Sequence, residues 1–335
     1  MCGRDAGRMP ALPRWVDRPR TRRTVCNRQR PLTDDGAVKK CIFVHHMAKT
    51  KESEDSRTSI GAILTEPNGA LLVDVVITDG ESFHSFLTPQ RDIADQVTND
   101  TSEEAVYSGS FWLVDMDRGS SGALFACDAD GNVHTNVSGR WGIEPLSPGH
   151  GLRVVRCLPD GSVFAAGTDG IVYRRDREGW VAVSDSFGRW ITGLDGRSAA
   201  DLVIAGDAGL VAQFDGTSWS SVDLATDLTF NAVLASDGRY VVCGAKGALF
   251  EGSGATWQNR TASTHDLHGL AHYRGEVWLA CGSSGAGRLT SDGVEIMRST
   301  FAAFSLSAAG DIIAFGGNNI AARFNGTSWH GRRFG

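Results

Sequence analysis

The stretch DLVIAGDAGLVAQFDGTSW (201–219) decides the fold. Its apolar runs are short, rich in Val, Ile, Leu and Ala, and broken by Gly, Asp and Ser, which makes them strands rather than helices. The pattern recurs upstream as GSVFAAGTDGIVYRRDREGW (161–180) and downstream as GRYVVCGAKGALFEGSGATW (238–257). It returns as GEVWLACGSSGAGRLTSDGV (275–294) and GDIIAFGGNNIAARFNGTSW (310–329). The aligned glycines Gly167, Gly206, Gly244, Gly282 and Gly316 are spaced 39, 38, 38 and 34 apart. Trp141, Trp180, Trp219, Trp257 and Trp329 give a second ruler, with steps of 39, 39, 38 and 72, the last being two periods. Two rulers that agree over five units define a repeat.

Each period reads as four strands; the unit around 230–260 supplies FNAVLASD, RYVVCG, GALFEG and TWQNRT. Four short strands per ~40 residues, repeated radially, is the arithmetic of a β-propeller blade. Residues 106–145 supply another unit, and 57–105 a divergent one with SIGAILTEP, GALLVDVVITDG and ESFHSFLTP. The expected fold is therefore all-β, a propeller of seven four-stranded blades over residues 57–335, with six as the alternative. The last unit is complete through Trp329, so closure needs no strand borrowed from the other end. The recurring tryptophans are expected to be largely buried between blades.

Composition agrees. The chain has 335 residues, 41 of them Gly, about 12% against a usual ~7%. No apolar run of 18 residues is present, so no membrane-spanning helix is expected. Residues 1–46 carry a net +7 (nine Arg and two Lys against four Asp), which leaves −13 for the remaining 289. That segment shows neither apolar period nor strand alternation, nor the apolar stretch of a secretory signal. It reads as a disordered basic tail or as sequence upstream of the true start, because Met47 opens a polar leader, MAKTKESEDS (47–56). Cys127, Cys157, Cys243 and Cys281 lie in apolar strands without C-x-x-C spacing, as expected of free thiols in a cytoplasmic protein.

The unit endings FDGTSW (214–219), FNGTSW (324–329) and SGATW (253–257) resemble bacterial propellers of the WD40/YVTN and Asp-box (BNR) kind, over roughly 106–335. The Asp-box pattern S-x-D-x-G-x-x-W is incomplete in every unit, and no regular Gly-His or Trp-Asp pair occurs. The resemblance implies architecture, and this architecture hosts many functions. Among Asp-box propellers, sialidases need an arginine cluster and a Tyr nucleophile; here Tyr173 and Tyr240 sit in apolar strand patterns and no arginine recurs on the inner strands. His268 and His272 would stand ~13 Å apart on a strand, too far to share a metal ion. No cofactor or metal is expected.

Variable positions within the constant frame are the candidates for function. The turns between second and third strands contain Asp128, Asp130, Asp169, Asp207, Lys246 and Asn318, and the loops entering first strands add Phe187, Trp190 and Phe230. These should converge on one face, acidic on one side, with aromatics beside charge as in protein-binding hot spots. The resulting expectation is a cytoplasmic, non-enzymatic propeller that binds another protein, basic at its contact surface, through that face. An immunity or antitoxin-like protein plugging a toxin domain would be a specific case. Neither nucleic acid nor membrane is expected as a partner. The rival expectation is an enzyme or small-ligand binder, a lyase or glycan-processing protein, working in the central channel.

Overall fold

The structure, a computed structural model, describes residues 56–90, 105–261 and 263–335. The basic segment 1–46 and the leader up to residue 55 lie outside the described residues. The described residues form 28 strands in seven four-stranded antiparallel sheets, a seven-bladed propeller. Blades 1 to 7 span 57–109, 113–145, 152–182, 191–221, 230–259, 269–298 and 305–333. Every blade is built from consecutive strands, so no strand is shared across the ring. One boundary differs from the sequence reading. Tyr107–Gly109 pairs with Ser85–Leu87 and is the outermost strand of blade 1, although it had been assigned to the unit 106–145.

The innermost strands are Arg57–Thr65, Leu113–Arg118, Leu152–Cys157, Ile191–Ser198, Phe230–Ser236, Gly269–Tyr273 and Ser305–Ala309. They start at the face bearing the second-to-third-strand turns and run down an axial channel. Gly167, Gly206 and Gly244 end second strands where backbones nearly touch. A Cβ there would lie 2.1, 1.9 and 2.1 Å from the carbonyl oxygens of Gly151, Trp190 and Thr229. In blade 7 the equivalent approach falls one residue later than the sequence alignment placed it, at Gly317, whose Cβ would meet the Ala302 oxygen at 1.9 Å.

Blades pack through apolar flanks. Tyr240 is fully buried and donates its hydroxyl across the blade 4–5 gap to the Asp201 carbonyl (2.9 Å) and carboxylate (2.8 Å). Blade 7 meets blade 1 through Ile60, Ile63, Val73 and Val75 against Ala314, Ala321 and the buried Phe334. The Thr65 amide donates to Ser307 Oγ (2.9 Å), and the Thr65 hydroxyl to the Ser307 carbonyl (2.8 Å). The tryptophans correct an expectation. Trp180, Trp219 and Trp329 open outermost strands, Trp257 is the second residue of its own, and all four are half-buried, because they cap the rim of an interblade gap rather than fill its centre. The Trp219 indole packs on Phe187 and donates to the Val183 carbonyl of the preceding blade (3.0 Å); that of Trp180 donates to Glu144 (2.7 Å).

Polar side chains of the innermost strands reach around to backbone groups of the next blade. Asp115 accepts the Val155 amide (3.1 Å), Asp117 the Cys157 amide (2.8 Å) and Asp195 the Ala235 amide (2.8 Å), each exactly one 40-residue step along the chain. Arg156 stands among them, 3.8 Å from both Asp115 and Asp117, and donates to the Leu194 carbonyl (3.2 Å). Four charged groups, Asp115, Asp117, Arg156 and Asp195, thus stand on the innermost strands. Burial pushes the Asp115 carboxyl up to about 6 although Arg156 opposes the shift, and burial likewise raises Asp195. Asp74 in blade 1, wholly buried with Ser85 as its hydrogen-bond donor, is raised well above the usual range by burial.

Two outcomes are expected. Trp219→Ala should cost about 2 kcal/mol in urea unfolding, below the ~3–5 kcal/mol of a fully buried aromatic; a loss above that range would place the indole in the core. An acid whose folded pKa is raised binds more protons in the folded state, so its stabilising share is present below ~4 and lost as pH climbs. For Asp115 that loss completes as pH passes about 6. Asp115→Asn keeps an acceptor for the Val155 amide and should flatten part of the fall in urea midpoint across this window. An unchanged slope would refute the assignment.

Candidate functional site

The loop-bearing face is held by backbone contacts between the turns and the crossovers. The amides of Ala129, Thr168, Asp207 and Ala245, which open successive turns, donate to the carbonyls of Trp112, Gly151, Trp190 and Thr229 at 2.8–3.1 Å. On the outer side, the Gly131 carbonyl accepts from Leu146 and Ser147, Gly170 from Phe187, and the Gly209 amide donates to Leu228. Turn and crossover therefore form one layer in blades 2 to 5, and the layer is rigid because its carbonyls and amides pair with one another.

The nine candidate residues lie in this layer but differ in access. Asp130, Trp190, Lys246 and Asn318 are exposed; Asp169, Asp207 and Phe187 are half-buried. Two expectations are corrected. Phe230 is fully buried, with its ring edge-on to Phe250, because it opens an innermost strand and points into the blade 4–5 core. Asp128 is 1% exposed and fully engaged. One of its oxygens accepts the amides of Asp130 and Asn132, the other the Asn132 side-chain amide (2.8 Å) and His134 Nε2 (2.9 Å). Burial alone would raise the Asp128 pKa, but the bonds from His134 and Asn132 outweigh it and hold the carboxyl below the usual range. His134 Nδ1 in turn meets the Tyr107 hydroxyl (2.9 Å), so the network ties blade 1 to blade 2. Neither Phe230 nor Asp128 can present its side chain to a partner.

Asp169 is similarly occupied, accepting from Ile171, Ser147 and Tyr173. Phe187 is the edge-to-face partner of Trp219. The Lys246 amide donates to Asp266 (2.8 Å), and the Asn318 carbonyl accepts the Ile60 amide at the blade 7–1 seam. Ala208, Lys246 and Asn318 have left-handed φ of 51°, 53° and 39°, which fixes their side chains outward on the turn. Trp190 stands free at 47% exposure, with the Arg153 guanidinium 5.5 Å over its ring.

The turns and crossovers also bring exposed acids to the face that were not singled out in the sequence: Asp185, Asp223, Asp227 and Asp266. Inside their ring opens the axial channel, a cavity of about 400 Å³ lined near this mouth by Arg153, Thr192, Asn231, His268 and Phe304. Burial lowers the His268 pKa, with Asp266 opposing, so neutral imidazole is favoured there. Among the described residues no group of three or more His, Cys, Asp or Glu is placed to hold a metal ion. Burial pushes the Cys281 thiol up to about 12 and raises Cys243 and Cys157 as well, which keeps these thiols protonated.

No protein-family model matches the chain. Among curated proteins it is similar to the immune protein Tsi7 of Pseudomonas aeruginosa, 29% identical over 175 residues. That match covers 48% of this chain and 56% of Tsi7, so the chain spans little more than half the length of that relative. Among solved structures, virginiamycin B lyase from Staphylococcus aureus superposes with a TM-score of 0.60 at 12% identity, covering 78% of this chain and 92% of the lyase. The WD40 repeats of RRP9 give 0.58 at 13%, covering 80% and 91%. YCF48 bound to D1 peptide gives 0.51 at 11%, covering 66% and 80%. Likeness at such identities shows the fold alone: the chain has the architecture of WD40 and related β-propellers.

Proposed function

We propose that this chain is a non-enzymatic binding protein that covers a protein partner with its loop-bearing face and blocks it, in the manner of an immunity protein. One observation carries the reading. On a face whose turns and crossovers are bonded to one another in blades 2 to 5, Trp190 is left 47% exposed, with Arg153 over its ring and exposed acids such as Asp130, Asp185 and Asp227 on the same face. An exposed large aromatic within a charged rim is the arrangement of a protein-binding hot spot. The similarity to an immune protein supports the same reading. The inner-strand carboxylates Asp115, Asp117 and Asp195 are engaged in holding neighbouring blades together, which favours binding over catalysis there. The acidic rim calls for a partner that is basic where it touches the rim.

Co-purification from the native cell followed by mass spectrometry identifies the partner, and binding kinetics then test the face. Asp130→Lys with Asp207→Lys should slow association and weaken its salt dependence, since exposed charges steer encounter. Trp190→Ala should leave association near normal and speed dissociation about 30-fold, the equivalent of ~2 kcal/mol. Wild-type kinetics in both variants would put the interface on another surface.

A further inference from the structure

In blades 2 to 7 the residue immediately before the innermost strand is a fixed position of the repeat: Trp112, Gly151, Trp190, Thr229, His268 and Phe304, at steps of 39 and a last step of 36. The first four are anchored identically, each carbonyl accepting the amide that opens its blade's turn. His268 and Phe304 at this position line the channel, and Gly and Thr serve its backbone role as well as any residue. Three blades place exposed aromatics there: Trp112 (37%) stacks on Phe83 of blade 1 at 4.6 Å, whereas Phe304 (41%) lines the channel and Trp190 (47%) lies under the Arg153 guanidinium. His268 meets the Phe304 ring edge-on at 5.1 Å. The backbone does not require the Trp190 and Phe304 rings, so their exposure beside the channel points to a ligand.

Arg153 lies among them, its guanidinium over Trp190 and its side chain on the channel wall. The contrast with Arg156, three residues further down the same strand, is informative. Arg156 has two carboxylates and a carbonyl. Arg153 Nε is buried without a hydrogen-bond partner, and among the described residues no carboxylate lies within ion-pair distance of this guanidinium. A buried N–H without an acceptor is destabilising. The mouth thus carries a cation and aromatic rings, and the Asp115 and Asp117 carboxylates of the same channel are already engaged with Arg156 and with the Val155 and Cys157 amides.

We propose that the channel mouth on the loop-bearing face is a carboxylate-binding site, occupied by an aspartate or glutamate side chain at the tip of a partner's loop. Arg153 is the donor, its planar fork suited to a carboxylate, and Trp190, His268 and Phe304 form the collar. A cavity of about 400 Å³ admits a side chain and its neighbours, not a domain, so the occupant is a protruding segment. The acids around the mouth would repel a polyanion, which favours a single acidic tip set in a basic surface. The inference names the feature that the docking face would recognise and in that respect rests on the function proposed above.

The site can be tested without the partner. In ¹⁵N-labelled full-length protein, the Nε–H resonance of Arg153, identified by its loss in Arg153→Lys, should shift and saturate with acetyl-Gly-Glu-Gly-amide at a Kd of about 1 mM. It should stay in place with acetyl-Gly-Gln-Gly-amide, and Trp190→Ala should weaken the glutamyl peptide several-fold. A resonance unmoved at ~10 mM peptide, an equal response to the glutaminyl peptide, or tighter binding of inorganic phosphate would overturn the proposal. The titration uses wild-type protein, so it stands even if Arg153→Lys folds poorly, in which case Arg153→Gln supplies the assignment. Once a partner is in hand, equal affinity for wild type and Arg153→Gln sinks the site and leaves the docking face intact. Saturation by the glutamyl peptide without any partner on this face sinks the docking reading and leaves the site.

Discussion

A ring of separate sheets leaves every innermost strand with one unpaired edge turned toward the axis, and the rest of this molecule is arranged around that constraint. Amides and carbonyls on such an edge must find partners or water. Here the partners are side chains from the neighbouring blade: Asp115, Asp117 and Asp195 accept amides, while Arg156, Thr192 and Asn231 donate to the carbonyls of Leu194, Phe230 and Leu267. Each bond both satisfies an edge and fixes the angle between two blades. Carboxylates so placed lose solvation, and Arg156 offsets part of that loss by standing between two of them. Much of the polarity inside the channel is therefore structural, from Thr192 and Asn231 down to Asp117 and Asp195.

The blade frame was legible because its signals are local. Glycines such as Gly206 and Gly244 are dictated by a carbonyl less than 2.5 Å from where a Cβ would stand, and apolar strands carry their own pattern. Blade 1 was harder, since its outermost strand has three residues, Tyr107–Gly109, too few to show alternation. The aromatics near the channel show how one residue of register decides exposure. Phe230 is the counterpart of Ile191, the first residue of its strand, and is buried; Trp190 is the counterpart of Thr229 and faces solvent. The 39-residue step from Trp190 to Thr229 was available in the sequence and distinguishes the two. The carboxylate clamps were not readable in the same way, because the role of Asp195 depends on an edge 40 residues away that becomes its neighbour only in the closed ring.

Turn chemistry and surface chemistry also separate once contacts are known. Asp128 and Asp169 look alike in sequence to Asp130 and Asp207, yet the first two are committed to hydrogen bonds that shape the turns. What remains outward is a pattern of two signs, acidic around and cationic at the centre. Such a pattern discriminates better than a uniform patch, since a partner must match both the rim and the mouth.

The seam between blades 7 and 1 sets an order in time. Thr65 and Ser307, which bond across it, are 242 positions apart, whereas the strands within each blade are sequence neighbours. As the chain leaves the ribosome, middle blades can stack on blades already made, but the flank of blade 1 that carries Ile60 and Val75 has no cover until Phe334 arrives. Until then it offers an apolar surface of the kind that chaperones and proteases recognise in unfinished chains. Blade 7 and Phe334 therefore act as the latch that covers this flank and closes the ring.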